Sequence, residues 1–116
     1  MKTDPFALTL LFDYYGDLLT EKQRTCFDLY YNQDLTLAEI AEEAGISRQG
    51  VHDSLARAEA ALRTMEEKTG CAGRDMKCRK VMEEISRLAR SLAGQEDETV
   101  SRLGRQIEAL AQEMKE

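Results

Sequence analysis

The chain has 116 residues, 42% of them hydrophobic and 33% charged, and a formal net charge of −6. That length fits one domain or a small module with an extension. The apolar share is too high for a disordered chain, and no run of about 18 apolar residues is present to span a membrane. A single proline, Pro5, leaves the rest free of helix-breaking rings. Ala, Leu, Glu, Lys, Arg, Gln and Met fill long stretches, so the expected fold is all-α.

The first helix is expected from about Asp4 to Gly16, with Asp4 as its cap and Pro5 in the first turn, where proline is tolerated. Its apolar residues, from Phe6 to Tyr15, cover more than one face, which implies burial from several sides and hints at packing between subunits. Thr20 and Gln23 form a capping box that opens a second helix with the stripe Cys26, Phe27, Leu29 and Tyr30, ended by Asn32-Gln33-Asp34. Thr36 and Glu39 form another box. The short helix they open turns Leu37, Ile40, Ala41 and Ala44 inward and stops at Gly45.

Ser47 caps the fourth helix, whose stripe Val51, Leu55, Ala58, Leu62 and Met65 runs to about Lys68. Gly70-Cys71-Ala72-Gly73 reads as a loop and a module boundary. A helix from about Asp75 to Leu92 follows, and after Gly94–Asp97 comes a last helix with the heptad-like seam Val100, Leu103, Ile107, Leu110 and Met114. The expected division is therefore residues 1–69, an N-terminal helix plus a helix-turn-helix module, and residues 70–116, a helical hairpin. The seam is expected on the preceding helix or on a second chain, and the surplus of apolar stripes points to a homodimer through the helices flanking the module.

The informative tract is Thr36 to Leu55. A helix-turn-helix needs a small residue where its helices cross, and Ala41 is there. It needs a turn residue tolerant of positive φ, and Gly45 is there. Ile40, Ala44, Ile46, Val51 and Leu55 supply the buried faces, and Ser47 aims the next turn outward. The exposed early positions of the second helix are then Ser47, Arg48, Gln49, His52 and Asp53, the candidate nucleic-acid contacts. Arg48 suits guanine, Gln49 suits adenine, and Ser47 with the free N–H groups suits a phosphate. Arg48 and Gln49 read equally well as solvated residues on a three-helix scaffold. Residues 20–69 hold six Lys/Arg against ten Asp/Glu, an acidic setting for a DNA reader.

Other chemistry finds little support. The three cysteines, Cys26, Cys71 and Cys78, and the single His52 lack the recognisable spacing of a zinc site, with six residues between Cys71 and Cys78 and no second histidine, so no metal or cofactor is expected. No nucleophile motif or phosphate loop accompanies His52, and the reading is non-enzymatic. An odd cysteine count without a secretory signal suits the cytoplasm. Arg74, Lys77, Arg79 and Lys80 form the most basic stretch. They could hold an RNA backbone, but the interleaved Asp75, Glu83 and Glu84 favour a solvated face.

The tracts Leu18–Tyr31 and Leu37–Asp53 resemble region four of bacterial sigma factors. With Leu11–Tyr15 ahead of them they more closely resemble the YlxM family, whose gene lies beside that of the signal recognition particle GTPase. The resemblance runs from about Leu10 to Thr69. It implies a helix-turn-helix regulatory protein linked to the signal recognition particle pathway, binding DNA or RNA. The alternative is a protein-interaction module that engages the particle's GTPase or its receptor. The sigma-like contacts fall on Ser47, Arg48, Gln49, His52 and Asp53, while Gly50 and Asp53 stand where sigma factors tend to be basic or long and polar.

Overall fold

The computed structural model describes residues 2 and 4–115, and among these it contains six α-helices and no strand. They are α1 (Pro5–Tyr15), α2 (Glu21–Phe27), α3 (Leu37–Ala44), α4 (Arg48–Thr69), α5 (Cys71–Ala93) and α6 (Glu98–Lys115). The all-α expectation holds. No described helix is long and apolar enough to cross a membrane. The chain forms two compact units, Met1–Ala72 and Gly73–Glu116.

In the first unit, α1, α2 and α3 all pack on α4. Val51, Ala58 and Leu62 are completely buried along α4, against Leu8, Phe27, Ile40 and Cys26. Phe27 stacks on Phe12 at 4.5 Å between ring centroids and on Tyr31 at 4.4 Å, so one aromatic column joins α1 to the segment after α2. Two tyrosines tie the outer helices to α4. Tyr15 donates from its hydroxyl to Glu66 at 2.6 Å, and Tyr31 does the same to Glu59 at 2.6 Å.

Both capping boxes form, Thr20 with Gln23 and Thr36 with Glu39. Asp4 does not cap α1: its backbone is left-handed, at φ 46°, and its side chain makes no capping bond. Nor is α1 apolar on every side in a buried sense, since Leu8 and Tyr15 face the core while Phe6 is 78% exposed. The second helix is not α-helical to its end. Residues Asp28–Asn32 form a π-helical turn, after which Asp34 takes φ 56°. Leu29 and Tyr31 are both buried.

The expected loop at residues 70–73 is a single residue. Gly70, at φ 62°, ends α4, and α5 begins at Cys71. The preceding turn satisfies the first free N–H groups of α5: Thr69 Oγ1 accepts from Cys71 N at 3.3 Å and Glu66 Oε1 from Ala72 N at 3.0 Å.

The second unit is an antiparallel hairpin of α5 and α6. Asp97 Oδ1 caps α6 by accepting from Thr99 N and Val100 N at 2.9 and 3.2 Å. The seam between the helices is made of small residues, Ser86 and Ala89 on α5, Ser101, Gly104 and Ala111 on α6, all buried. The predicted apolar seam is not the one that meets the preceding helix; Leu103, Ile107, Leu110 and Met114 stay 39–70% exposed. Gly104 explains the choice. A Cβ there would lie 2.5 Å from Ala93 N and 2.7 Å from Ala89 O, so the helices cross too closely for larger side chains. Within the basic stretch Arg79 pairs with Asp75 at 3.0 Å, and beyond it Arg87 pairs with Glu84 and Arg90 with Glu108 at 3.3 Å.

Gly104→Ala is expected to destabilise the protein by about 1–3 kcal/mol through overpacking. Circular dichroism on thermal unfolding reads this as a lower midpoint, and an unchanged midpoint would rule out the close crossing.

Candidate nucleic-acid interface

The turn between α3 and α4 is short because two local devices build it. Gly45, at φ 70°, lets the chain reverse, and Ile46 N donates back to Ala41 O at 3.1 Å, the closing bond of a helix C-terminal turn. Ser47 then takes an extended backbone, and its Oγ accepts from Gly50 N at 2.9 Å, starting α4.

With Val51 and Leu55 buried, the 3.6-residue period turns Arg48, Gln49, His52 and Asp53 outward, and all four are exposed, as is Ser47. The structure thus brings the five predicted contacts into one surface, at the start of a helix held rigid from behind.

These residues are not independent. Gln49 Nε2 donates to Asp53 Oδ1 at 2.9 Å, and His52 Nδ1 lies 3.6 Å from the same oxygen. The Gln49 amide is the main reason the Asp53 carboxyl sits below the ordinary aspartate range; partial desolvation opposes it, and His52 and Arg57 assist it. Bidentate reading of adenine needs both the amide N–H and the amide oxygen. Gln49 must therefore release Asp53 before it can contact a base in that way. Arg48 has no ion pair or hydrogen bond within the described residues, and its guanidinium is presented to solvent.

A cleft lies along the flank of α4, lined by Thr20, Lys22 and Gln23 from the start of α2 and by Gly50, Asp53, Ser54 and Arg57. Ser54 is buried, with a hydroxyl that has no hydrogen-bond partner. Sequence reasoning missed Lys22 and Arg57. Arg57 was accessible in principle, because it follows Asp53 by four residues on the same helix face. Lys22 was not, because only the packing of α2 on α4 brings it there.

Two helices joined by a three-residue turn, the second capped and exposed through its first turns, define a helix-turn-helix protein. The chain belongs to the UPF0122 family, whose model, described as "Putative helix-turn-helix protein, YlxM / p13 like", matches residues 3–101. Similar proteins of that family occur in Caldanaerobacter subterraneus, 48% identical over 73% of both chains, and in Thermoanaerobacter sp. strain X514, 46% identical over 75% of this chain and 74% of the relative. A shorter match, 56% identical over 54% of both chains, is to a UPF0122 protein of Desulforamulus reducens.

The depressed Asp53 carboxyl has a measurable consequence. The Gln49 contact contributes fully above the pKa of an unfolded aspartate and is lost as pH falls through the lower folded value. In a carbon-detected NMR titration, Asp53 is expected to titrate below the ordinary aspartate midpoint, and Gln49→Ala to move it upward. Identical midpoints in the two proteins would show that the amide does not hold the carboxylate.

Proposed function

We propose that this chain is a nucleic-acid-binding regulatory protein that works as a homodimer in the cytoplasm and reads its target with the first turns of α4. The observation that carries the reading is the solvent-facing Arg48, unpaired at the capped start of a helix whose back is rigidly packed. Arg48 reads a base edge. Ser47 and the free N–H groups beside it take a phosphate, and Lys22 and Arg57 take phosphates along the flank. Gln49, His52 and Asp53 complete the surface. Asp53 tunes it, since its carboxylate faces the same side as the cations and opposes unselective attraction to a polyanion.

The resemblance to the YlxM family directs the search for a target toward the signal recognition particle, its RNA first. A protein partner, the particle's GTPase or its receptor, is favoured by one observation: residues 20–69 are acidic, six Lys/Arg against ten Asp/Glu.

Fluorescence anisotropy of labelled duplex DNA and of signal recognition particle RNA, at two salt concentrations, separates these readings. Binding that weakens with salt supports a nucleic-acid target and says which polymer. In that case Arg48→Ala is expected to cost about 1–3 kcal/mol of specific affinity, while Lys22→Ala and Arg57→Ala each weaken all sequences alike and lower the salt slope by about 1. Absence of binding at tens of micromolar protein in low salt sinks the nucleic-acid reading and leaves the protein partner.

A further inference from the structure

The α5–α6 hairpin is built with its small residues inside and its large ones outside. On α5, Val81, Leu88 and Leu92 are 39–50% exposed, and on α6, Leu103, Ile107, Leu110 and Met114 are 39–70% exposed. The spacing on α6 alternates four, three and four residues, the seam of a helix that packs lengthwise on another.

The two stripes share a side. At about 100° per residue, each is displaced by roughly a quarter turn from its own small-residue seam, in the same rotational sense. The helices are antiparallel, as the Ser101 Oγ bond to Ala93 O at 2.6 Å, the Arg90–Glu108 pair at 3.3 Å and the Lys115–Glu83 pair at 3.2 Å require. Equal displacements on antiparallel helices emerge on one face, so the hairpin carries a single two-helix apolar surface.

We infer that this face is where two copies of the chain meet, their hairpins forming a four-helix bundle. The inference rests on the homodimeric reading above and names its interface. Three observations select a second copy as the occupant. The fully buried residues of the hairpin are only serine, alanine and glycine, with Met82, Ile85 and Val100 half-buried, so most of its large apolar side chains gain from burial only if the outer face is covered. Seven large apolar side chains, Val81, Leu88, Leu92, Leu103, Ile107, Leu110 and Met114, stand 39–70% exposed on the hairpin, where a monomer's surface ordinarily carries such residues singly. Finally, residues 70–116 hold nine Lys/Arg and nine Asp/Glu, so two copies of this part do not repel each other, although the whole chain carries −6. A partner chosen for charge would call for a face of one sign. A partner of the same shape calls for self-complementarity, which a two-fold pair of identical stripes provides.

Sedimentation velocity on the full chain tests this. The wild type is expected to be a dimer at tens of micromolar. The variant Leu103→Glu/Leu110→Glu is expected to be a monomer with its helical circular dichroism intact, its dimer dissociation constant raised at least ~100-fold by charges buried without partners. Gln106→Glu, off the stripe, should remain dimeric. A wild type that is monomeric at about 100 μM, a concentration far above the Kd of a stable pair, overturns both the interface and the homodimeric reading. A double variant that stays dimeric overturns the interface alone.

Should the double variant lose its helicity, hydrogen exchange of the wild type over a concentration series decides. Protection that rises with concentration in α5 and α6 supports the interface, and protection that rises only in α1 to α4 refutes it. Nucleic-acid binding is read separately by anisotropy, so a dimer that binds no polymer sinks the function and leaves the interface standing.

Discussion

Val51, Leu55, Ala58 and Leu62 make one buried stripe along α4, and three other helices are positioned by it. The stripe is the part of the core that the three helices share, and each fully buried Val or Leu side chain contributes roughly 1.5–3 kcal/mol. The same burial determines which residues α4 can show to solvent. Once Val51 and Leu55 point inward, Arg48, Gln49, His52 and Asp53 have nowhere to go but out. Tyr15 and Tyr31, bonded to Glu66 and Glu59, tie the distal half of α4 to the helices around it. Core and solvent-facing surface are in this sense two sides of one helix.

The exposed side is electrically restrained. An unpaired arginine stands at the helix start, yet the neighbouring glutamine is bound to an aspartate whose negative charge offsets part of the local positive field. Such a surface does not attract a polyanion indiscriminately. In the proposed reading, a ligand would have to offer Gln49 a better partner than Asp53 and reach Lys22 and Arg57 on the flank. Fixed donors of known direction suit recognition of one target over many.

The second unit applies a different economy. Close crossing at Gly104 leaves only small residues fully buried between α5 and α6, and Leu88, Leu103, Leu110 and Met114 stay exposed. Backbone proximity, not hydrophobicity, chooses which side of each helix meets the other. The first unit has the opposite arrangement, with its aromatic residues stacked in the centre and its charges outside.

The helix-turn-helix was legible in the residues because each of its parts is local. The capping boxes Thr20/Gln23 and Thr36/Glu39, the turn at Gly45 and the cap at Ser47 each need only a few neighbouring residues to form, and all are present. The placement of Ser47, Arg48, Gln49, His52 and Asp53 on one surface follows from helical periodicity alone. What periodicity could not show was long-range. The π-turn at Asp28–Asn32 has no local signal in its residues, and Asp4 fails as a cap because its backbone turns left-handed. Gly70-Cys71-Ala72-Gly73 reads as a loop until Thr69 and Glu66 are seen to accept from the N–H groups of Cys71 and Ala72.

Lys22 joins Arg57 only through the packing of α2 on α4, and the inward face of α6 depends on how near Gly104 comes to Ala89 and Ala93. Sequence by itself determined the helix-turn-helix, its capping boxes and the outward set of α4, because these depend on hydrogen bonds and periods spanning a few residues. Tertiary structure alone decided which flank carries cations and which stripe of the hairpin stays in water, because both depend on the distance between helices far apart in the chain.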